Sequence, residues 1–426
     1  MRRIVGCAVV LGTASLVACS ESSGPTGPDN TITVQGRVVD EYLQPLPSTY
    51  VLIAGHETVT TDANGYFSVT KVSAPYDLIL QIPDAGTRDL LIYHGLIRSD
   101  PLIVTPPIPF STSFRSAYIW GSTYGGGPLP DPPDRKSSLL FDSPETQFVG
   151  SAGSGSYSMQ PQWLGPDSTD GLLHALQWQF DPASGLPTSY TGYGATPLRL
   201  HKGDYHEGPA VTMSAPVVAG SIAGTINVPT GLSTTRKSLL LRFRSSVPAR
   251  WVIVTDSTPT NSFTYVTPNL QGATFSLAVR ATGDSGYGEI LKTGIGANAA
   301  DVVMNVPSPA QLKTPADGAK NVVMSTAFSW SKVSGAVYLV AVRYSGGLDY
   351  VPPAPNYYVF TTDTTVSFTK LVPQNYAPYR GTSYIWDVRS WGPFASVDDI
   401  TTPTWFAPQN DGSSTVSLAR GFSWTQ

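Results

Sequence analysis

The sequence has few charged residues and few stretches of the residues that favour helices. Only 13% of its 426 residues are Asp, Glu, Lys or Arg, and the 26 basic and 30 acidic side chains form no block of one sign. We therefore expect no nucleic-acid partner, because phosphate binding needs clustered Lys and Arg. Gly (40), Pro (37) and Tyr (21) are abundant instead. This composition predicts an all-β fold with many turns.

The first thirty residues differ from the rest of the chain. Arg2 and Arg3 precede an apolar run over residues 4–17. This run is too short to span a bilayer, since a spanning helix takes about 20 residues, and it is typical of a secretory signal. The residues Leu16-Val17-Ala18-Cys19 resemble the lipobox of bacterial lipoprotein precursors. The resemblance implies that residues 1–18 are a signal peptide and that Cys19 becomes the acylated N-terminus.

A lipid on Cys19 implies that the mature protein works outside the cytoplasm. Acyl chains hold a protein on a membrane because each buried methylene contributes about 0.8 kcal/mol. By resemblance to enterobacterial sorting, Ser20 favours the outer membrane, on its periplasmic or surface face. Residues 19–30 are polar and rich in Ser, Gly and Pro, which predicts a flexible tether. Cys7 lies in the signal peptide, so the mature chain can form no disulfide and no thiolate metal site.

Residues 31–107 alternate between apolar and polar side chains, with turn residues between the runs, which predicts β-strands. Asn64-Gly65 predicts a tight hairpin, because glycine accepts positive φ. The marker motifs are Gly36-x-Val38-x-Asp40, Gln44-Pro45-Leu46, Val51-x-Ile53 and Thr61-Asp62-x-Asn64-Gly65-x-Phe67. On these motifs the segment resembles the carboxypeptidase regulatory-like domains, a transthyretin-like β-sandwich, although Gln44 stands where the family usually has Gly. The resemblance implies a fold and no catalytic residues.

Two further segments, residues 108–218 and 219–307, repeat each other. The recurring markers are Arg135-Lys136-Ser137, found again as Arg236-Lys237-Ser238, and Gly192-Tyr193-Gly194, found again as Gly286-Tyr287-Gly288. The spacing between markers differs by several residues, so we predict diverged β-sandwiches with unequal loops. Together with the first segment they make three related β-domains in tandem.

Residues 308–426 predict a different module. Phe328 and Trp330 share one face of a predicted strand, and a later apolar strand contains Tyr384. The segment resembles a fibronectin type III or related immunoglobulin-like sandwich. The resemblance implies that Trp330 is the packed core aromatic and Tyr384 the corner tyrosine. It implies no chemistry.

The last residues copy the opening of this module. Asp411-Gly412 and Phe422-Ser423-Trp424 repeat Asp317-Gly318 and Phe328-Ser329-Trp330 at the same spacing. The copy either adds strands to the preceding sheet or is an exposed edge for a partner. We favour added strands, because an unpaired strand carrying two large aromatic rings would promote aggregation.

Few residues suggest chemistry, and we assign none of them a catalytic role. Residues 201–207 hold two imidazoles and two carboxylates, so His201 and His206 are candidate metal ligands. A polar loop is the favoured interpretation, since no helix or cysteine frames them. His174 lies on an apolar strand face, which predicts a hydrogen-bonded core histidine. No cofactor is expected, and the Gly-Ser loop at residues 150–155 is no nucleophile elbow because no helix follows it.

Aromatic residues give the clearer functional hint. Tyr350, Tyr357, Tyr358 and Trp391 lie in or beside loops of the last module. There they could bind a sugar or a protein, or they could simply cover Pro-rich loops.

We therefore predict a non-catalytic, lipid-anchored envelope protein that displays tandem antiparallel β-sandwiches to bind or scaffold a protein partner. Stacked domains would give it reach, and loops at the far end would make the contact. A second hypothesis is a carbohydrate-binding lipoprotein that captures glycans for a neighbouring transporter or hydrolase. A third is a metal-dependent enzyme.

Overall fold

The computed structural model describes residues 31–40, 43–83, 88–105, 114–126, 134–153, 155–214, 217–243, 251–346, 354–402 and 411–425. The predicted signal peptide, Cys19 and the tether lie outside these residues. Within them almost all regular structure is β-strand, which confirms the all-β prediction. Besides two 3-10 turns, Gln374–Tyr376 and Val397–Ile400, the described part has one α-helix, α1 (Phe368–Leu371). No described helix is long and apolar enough to cross a membrane.

Residues 31–105 form seven strands. They are β1 (Thr31–Val39), β2 (Tyr50–Ile53), β3 (Val59–Thr60), β4 (Tyr66–Ser73), β5 (Tyr76–Pro83), β6 (Arg88–Leu96) and β7 (Leu102–Val104). In one sheet β1 pairs antiparallel with β4 and parallel with β7. In the other, β2 pairs antiparallel with β3 and β5, and β5 pairs antiparallel with β6.

The next segment contains ten described strands. They are β8 (Arg115–Ser116), β9 (Tyr118–Gly125), β10 (Arg135–Asp142), β11 (Gln147–Gly153), β12 (Ser156–Met159), β13 (Gln162–Trp163), β14 (Ser168–Phe180), β15 (Pro187–His201), β16 (Tyr205–Glu207) and β17 (Val211–Met213). Strand β9 pairs antiparallel with β12 and parallel with β16 and β17. Strand β10 pairs with β11 and β14, and β14 pairs with β15. Because β11 also pairs with β12, these eight strands form one continuous sheet. The other two, β8 and β13, pair with each other in a separate sheet.

The third segment repeats the arrangement of the first. Its strands are β18 (Ala219–Asn227), β19 (Ser233–Arg242), β20 (Trp251–Asp256), β21 (Ser262–Pro268), β22 (Thr274–Gly283), β23 (Gly286–Ile295) and β24 (Val302–Asn305). Strand β18 pairs antiparallel with β21 and parallel with β24, β19 pairs with β20 and β22, and β22 pairs with β23. The first and third segments thus share one strand-pairing pattern, and the eight-stranded sheet of the second contains it with two additional pairings, β11 with β12 and β17 with β9. The domain boundaries stay predictions.

The remaining strands join the first and third segments. They are β25 (Leu312–Thr314), β26 (Ala319–Val322), β27 (Phe328–Trp330), β28 (Val337–Gly346), β29 (Asn356–Thr361), β30 (Thr365–Val366), β31 (Ser383–Gly392), β32 (Gly412–Ser417) and β33 (Arg420–Trp424). Strand β29 pairs parallel with β6, and β32 lies antiparallel between β23 and β31. One sheet of 14 described strands therefore crosses three predicted domains.

The hydrophobic cores also cross the predicted domain boundaries. Leu90 and Ile92 of β6 belong to the same buried cluster as Trp386 of the last segment. A second buried cluster contains Leu176 of the second segment and Trp251 of the third. Buried apolar area of this kind holds neighbouring segments against one another.

The turn at Asn64-Gly65 differs from the predicted hairpin. Gly65 has φ +77°, as expected, and a side chain there would collide with the carbonyl oxygen of Val38. The Asp62 carboxylate accepts hydrogen bonds from the backbone N–H groups of Asn64 and Tyr66. However, β3 pairs with β2 and β4 pairs with β1, so the turn passes the chain from one sheet to the other. The hairpin prediction was wrong because a local turn signal does not determine which strands pair.

The C-terminal copy adds strands to the preceding sheet, the alternative favoured above. Strand β33 pairs with β26 and β31, and its Phe422 and Trp424 are buried. Both rings belong to the core cluster that contains Trp330 and Tyr384, which are fully buried as expected for core positions. The Tyr384 hydroxyl donates a hydrogen bond to the Pro355 carbonyl oxygen at 3.2 Å.

Candidate functional site

Tyr357 is buried in the core of the last segment. It has no exposed surface, and its hydroxyl donates a hydrogen bond to the carbonyl oxygen of Tyr376 at 2.7 Å. Burial strongly raises the pKa of its hydroxyl. This packing contradicts the predicted ligand contact for Tyr357, because a stacking ring needs an open face. Tyr350 lies outside the described residues.

Tyr358 and Trp391 are partly buried where the last segment meets the first. Both pack against the core cluster that contains Tyr93 and Phe360, whose rings stack with centroids 4.6 Å apart. Tyr358 lies opposite Leu91 in the parallel pairing of β29 with β6. These contacts give the two rings a structural role at the junction, and their ligand-binding role stays a prediction.

His201 and His206 are exposed at the edge of the second segment. His201 ends β15, and its backbone N–H donates a hydrogen bond to Oδ2 of Asp204 at 2.7 Å. His206 lies in β16, opposite Ile119. In the described part of the chain no three His, Cys, Asp or Glu side chains lie close enough to hold a metal ion. The predicted polar loop is also partly wrong, since Tyr205–Glu207 form strand β16.

Three aromatic rings meet on the outer face of the same sheet. We call Tyr118, Trp120 and Tyr205 the aromatic platform. The centroids of Tyr118 and Tyr205 are 5.4 Å apart in a stacked pair, and Trp120 meets Tyr205 edge-on at 5.1 Å. Tyr205 is 75% exposed, and the other two rings are partly exposed. The platform is thus a solvent-facing group of rings in mutual contact.

The backbone pairing of β9 determines the position of these rings. Tyr118 and Trp120 are two residues apart, so they point to the same face, while Ile119 between them is fully buried. Strand β16 runs parallel to β9 with Tyr205 opposite Tyr118 and Glu207 opposite Trp120. On the other side of β9, Ser158 of β12 lies opposite Trp120. Trp120 is therefore flanked by an exposed carboxylate and an exposed hydroxyl group.

Tyr157 lies on the buried face of the same sheet, opposite Gly121 of β9. Its ring is buried, and its hydroxyl donates a hydrogen bond to the carbonyl oxygen of Pro209 at 2.8 Å. Burial, with a smaller contribution from the charge of Glu207, raises the pKa of Tyr157 to about 12, so its hydroxyl keeps its proton at neutral pH. A Cβ at Gly121 would lie 2.7 Å from the Tyr157 ring, and one at Gly208 would lie 2.6 Å from its hydroxyl oxygen. Glycine at these two positions lets the ring fit beneath β9.

His174 is a core histidine, as predicted. It is 2% exposed, and its Nδ1 lies 2.9 Å from the hydroxyl oxygen of Tyr193. Its ring stacks on Phe243 with centroids 4.2 Å apart. Burial, with a smaller contribution from the charge of Asp142, raises the pKa of Tyr193 to about 12. These contacts connect the second and third segments.

Another histidine lies where the first and last segments meet. His94 Nδ1 is 2.7 Å from Oδ1 of Asp77, and its Nε2 is 3.4 Å from Oδ2 of Asp363 in the last segment. The hydrogen bond to Asp77 raises the pKa of His94; burial opposes this, and the charges of both carboxylates reinforce it. The His94 side chain lines a cavity of about 330 Å³.

Two groups of buried charges in the described residues form ion pairs. Lys237 of β19 has no exposed surface, and its Nζ lies 3.0 Å from Oδ2 of Asp256. Asp387 of β31 pairs with Arg343 and Arg389. The Lys237–Asp256 pair joins β19 to β20 and the Arg343–Asp387 pair joins β28 to β31, whereas Arg389 and Asp387 lie on the same strand.

Comparison with known proteins gives a likeness of fold only. No model of a known family matches the chain, and no curated relative matches it. The TIE protein of Bacillus anthracis is similar at 8% identity over 65% of this chain, with a TM-score of 0.16. A fimbrial assembly protein from Parabacteroides distasonis is similar at 10% identity over 42% of this chain and 96% of its own, with a TM-score of 0.17. The major pilin subunit of Bacillus cereus is similar at 9% identity over 65% of this chain and 99% of its own, with a TM-score of 0.14.

This chain spans half the length of the Bacillus anthracis protein that it matches. Identities and TM-scores of this size carry no function from those proteins to this one. Function has to be argued from the chain's own residues.

Proposed function

We propose that this chain is a non-catalytic protein of a bacterial envelope or cell surface that presents its β-domains to a protein partner. A lipid on Cys19, in the outer membrane, is its anchor. The observation that carries the proposal is the sheet of 14 described strands that crosses three predicted domains. Linked domains normally move relative to each other, whereas a shared backbone ladder and a shared core hold them as one body.

The sheet alters the form of display that the sequence predicts. Because β6 pairs with β29, the first segment lies beside the last segment. The first and last segments are therefore neighbours, so the last segment is not the far end of a string. We propose display from a compact body, with partner contacts on its exposed faces.

The buried ionisable groups support a non-catalytic role. Lys237 and Asp256 are enclosed, and the Lys237 ammonium group donates hydrogen bonds to Thr258 and Thr260. Asp387 is likewise held by two arginines. Residues that serve as ligands or bases in enzymes here link strands to one another.

The anchor is tested by mass spectrometry and cell fractionation. We expect the native protein to begin at Cys19 with an acyl mass and to sediment with membranes. A matched variant replaces residues 1–19 with a cleavable secretory signal that receives no lipid, and this form should be released as a folded soluble protein. A native protein that begins elsewhere, or that remains soluble, contradicts the anchor.

The partner is tested by cross-linking in cells. A photoreactive residue is placed at Val252 on β20 or Val303 on β24, two exposed positions on different sheets. We expect the anchored protein to cross-link one defined envelope protein from one of these faces, and the released form to lose that product. An anchored protein that gives no protein cross-link at either position contradicts the proposal.

A further inference from the structure

We propose that the aromatic platform, Tyr118, Trp120 and Tyr205, binds a neutral polysaccharide. The inference concerns a surface of the second segment and does not depend on the lipid anchor or on a protein partner. It also moves the glycan hypothesis away from the last module, where Tyr357 is buried and Tyr358 packs against the first segment.

Tyr205 is the most exposed ring of the platform, so it is where a sugar would stack, with Tyr118 and Trp120 packed against it. Tyr205 is 75% exposed on a short edge strand, and its ring contacts both Tyr118 and Trp120. The C–H face of a hexose is apolar and flat, so it gains dispersion and desolvation energy on such rings. Four residues beyond Trp120 on the same face of β9, Tyr124 is 57% exposed. At a rise of about 3.3 Å per residue this places a further ring about 13 Å along the strand, where it suits an extended chain of sugars.

Polar groups surround the rings where sugar hydroxyls would lie. Glu207 and Ser158 are in register with Trp120 on its two sides, and Ser156 is in register with Ser122. Carboxylates accept hydrogen bonds from hydroxyl groups, and serine hydroxyls both donate and accept them. The charge of Glu207 beside Trp120 repels anionic glycans, which favours a neutral ligand.

The platform is organised before the ligand arrives. Below it, Tyr157 is fixed by its hydrogen bond to Pro209 and by the close packing of Gly121 and Gly208. The three upper rings restrict one another through their contacts. Rings that are already ordered lose little side-chain freedom on binding, so more of the stacking energy contributes to affinity.

The size and composition of the surface favour a glycan over a protein or a second copy of the chain. A stable protein interface buries about 800 Å² on each partner. An aromatic side chain buries about 150–250 Å², and two of the three rings are only partly exposed. The three rings therefore offer less than about half of that area, and Tyr124, 57% exposed, adds only part of one more ring. The side chains next to the rings on the neighbouring strands are serines and a glutamate, not aliphatic side chains.

The test is native affinity electrophoresis of the full mature protein. Gels contain β-glucan, xylan, galactomannan or glycogen, and a parallel gel contains anionic alginate. We expect retardation by at least one neutral polysaccharide. Trp120→Ala and Tyr205→Ala should each weaken that binding about tenfold or more, a difference of about 1.4 kcal/mol. Tyr205→Phe keeps the ring and should retain binding.

Tyr66→Ala is the matched control. Tyr66 is 52% exposed on β4, away from the platform, so its removal should leave retardation unchanged. Circular dichroism of each variant checks that it is folded, and Tyr205→Ala removes an exposed side chain that the core does not need.

Three electrophoresis results overturn the inference. They are an absence of retardation in every neutral polysaccharide, retardation by alginate alone, and retardation that is equal in the native protein and both platform variants. A dimer in sedimentation velocity that dissociates on Tyr205→Ala would instead identify the surface as a contact between copies. That result overturns the inference as well.

Discussion

Replacing Lys237 with methionine should destabilise the third segment strongly. The Lys237 side chain has no exposed surface, and its Nζ lies 3.0 Å from Oδ2 of Asp256. The same nitrogen donates hydrogen bonds to the Thr260 hydroxyl at 2.8 Å and the Thr258 carbonyl at 3.0 Å. Methionine fills the space of the aliphatic stem but leaves the Asp256 carboxylate without its cation.

Removing one member of a buried ion pair costs about 3–5 kcal/mol. Asp256 keeps other donors, because the Thr258 N–H and hydroxyl donate to Oδ1 and the Tyr265 hydroxyl donates to Oδ2. These bonds continue to compensate part of the desolvation of the carboxylate. We therefore expect Lys237→Met to lower the free energy of unfolding by about 3 kcal/mol, the lower end of this range.

The measurement is urea denaturation followed by tryptophan fluorescence. Trp251, one of nine tryptophans in the chain, is buried on β20, the strand that pairs with β19, so the unfolding of this region contributes to the change in emission. The control is Arg199→Met, which removes an exposed ion pair with an Nε–Oδ1 distance of 3.8 Å to Asp170. That loss should stay below about 1 kcal/mol. Equal losses in Lys237→Met and Arg199→Met would refute the reasoning.

The same pair makes stability depend on pH. Burial acts to raise the pKa of Asp256, but hydrogen bonds from Thr258, Tyr265 and Lys237 outweigh it and hold the pKa below its usual value. The contribution to stability is therefore present above the unfolded-state pKa, near 4, and is lost as the pH falls through the folded-state value. In Lys237→Met this acid-side loss should be smaller.

Three further changes test other parts of the fold. Trp424→Ala removes a fully buried ring from β33 and should cost about 3–5 kcal/mol in thermal or urea unfolding; a loss below about 1 kcal/mol would show that β33 is not packed in the core. Gly65→Ala should destabilise more than Gly55→Ala, because both have positive φ but only Gly65 has backbone atoms where a Cβ would lie; equal melting temperatures would contradict this. Because the pKa of His94 is raised, its contribution to the free energy of unfolding is complete below the unfolded-state value near 6.5 and is lost as the pH rises through the folded-state value. Asp363→Asn should make this loss of stability smaller between pH 6 and 8. An unchanged pH profile in Asp363→Asn would contradict the contact between segments.

Local sequence patterns predicted several of the strands because alternation records which face is buried. Val34 and Val38 alternate with polar residues on β1, and both are fully buried. Phe422 and Trp424 were recognisable as strand residues because they repeat an earlier motif with the same spacing. In such stretches the information lies within a few neighbouring residues.

Pairing between distant strands has no comparable local signal. Strand β29 lies against β6, and Asn356 donates a hydrogen bond to Asp89, 267 positions away. Tyr357 and Tyr358 are adjacent and point to opposite faces of β29. Tyr357 is buried and Tyr358 partly buried because each face is covered by a different core. Aromatic residues near Pro-rich loops in a sequence do not reveal that the first segment packs on the second face of β29.

The aromatic platform had a partial signal. Tyr118 and Trp120 flank Ile119, a pattern that puts two aromatic rings on the face opposite an apolar residue. Tyr205 had none, since its contact with them depends on the parallel pairing of β16 with β9. Residues 201–207 were selected from the sequence for their two histidines. The residue of this segment that contacts Tyr118 and Trp120 is Tyr205, which lies between those histidines.

The pairing of β6 with β29 limits the order in which the protein can fold during synthesis. The first segment leaves the ribosome long before its partner strand has been synthesised. Until that strand follows, the edge of β6 has backbone hydrogen-bonding groups without their final partner and apolar residues without their final cover. A chaperone that shields exposed strand edges would therefore be needed most by nascent chains that stop short of β29.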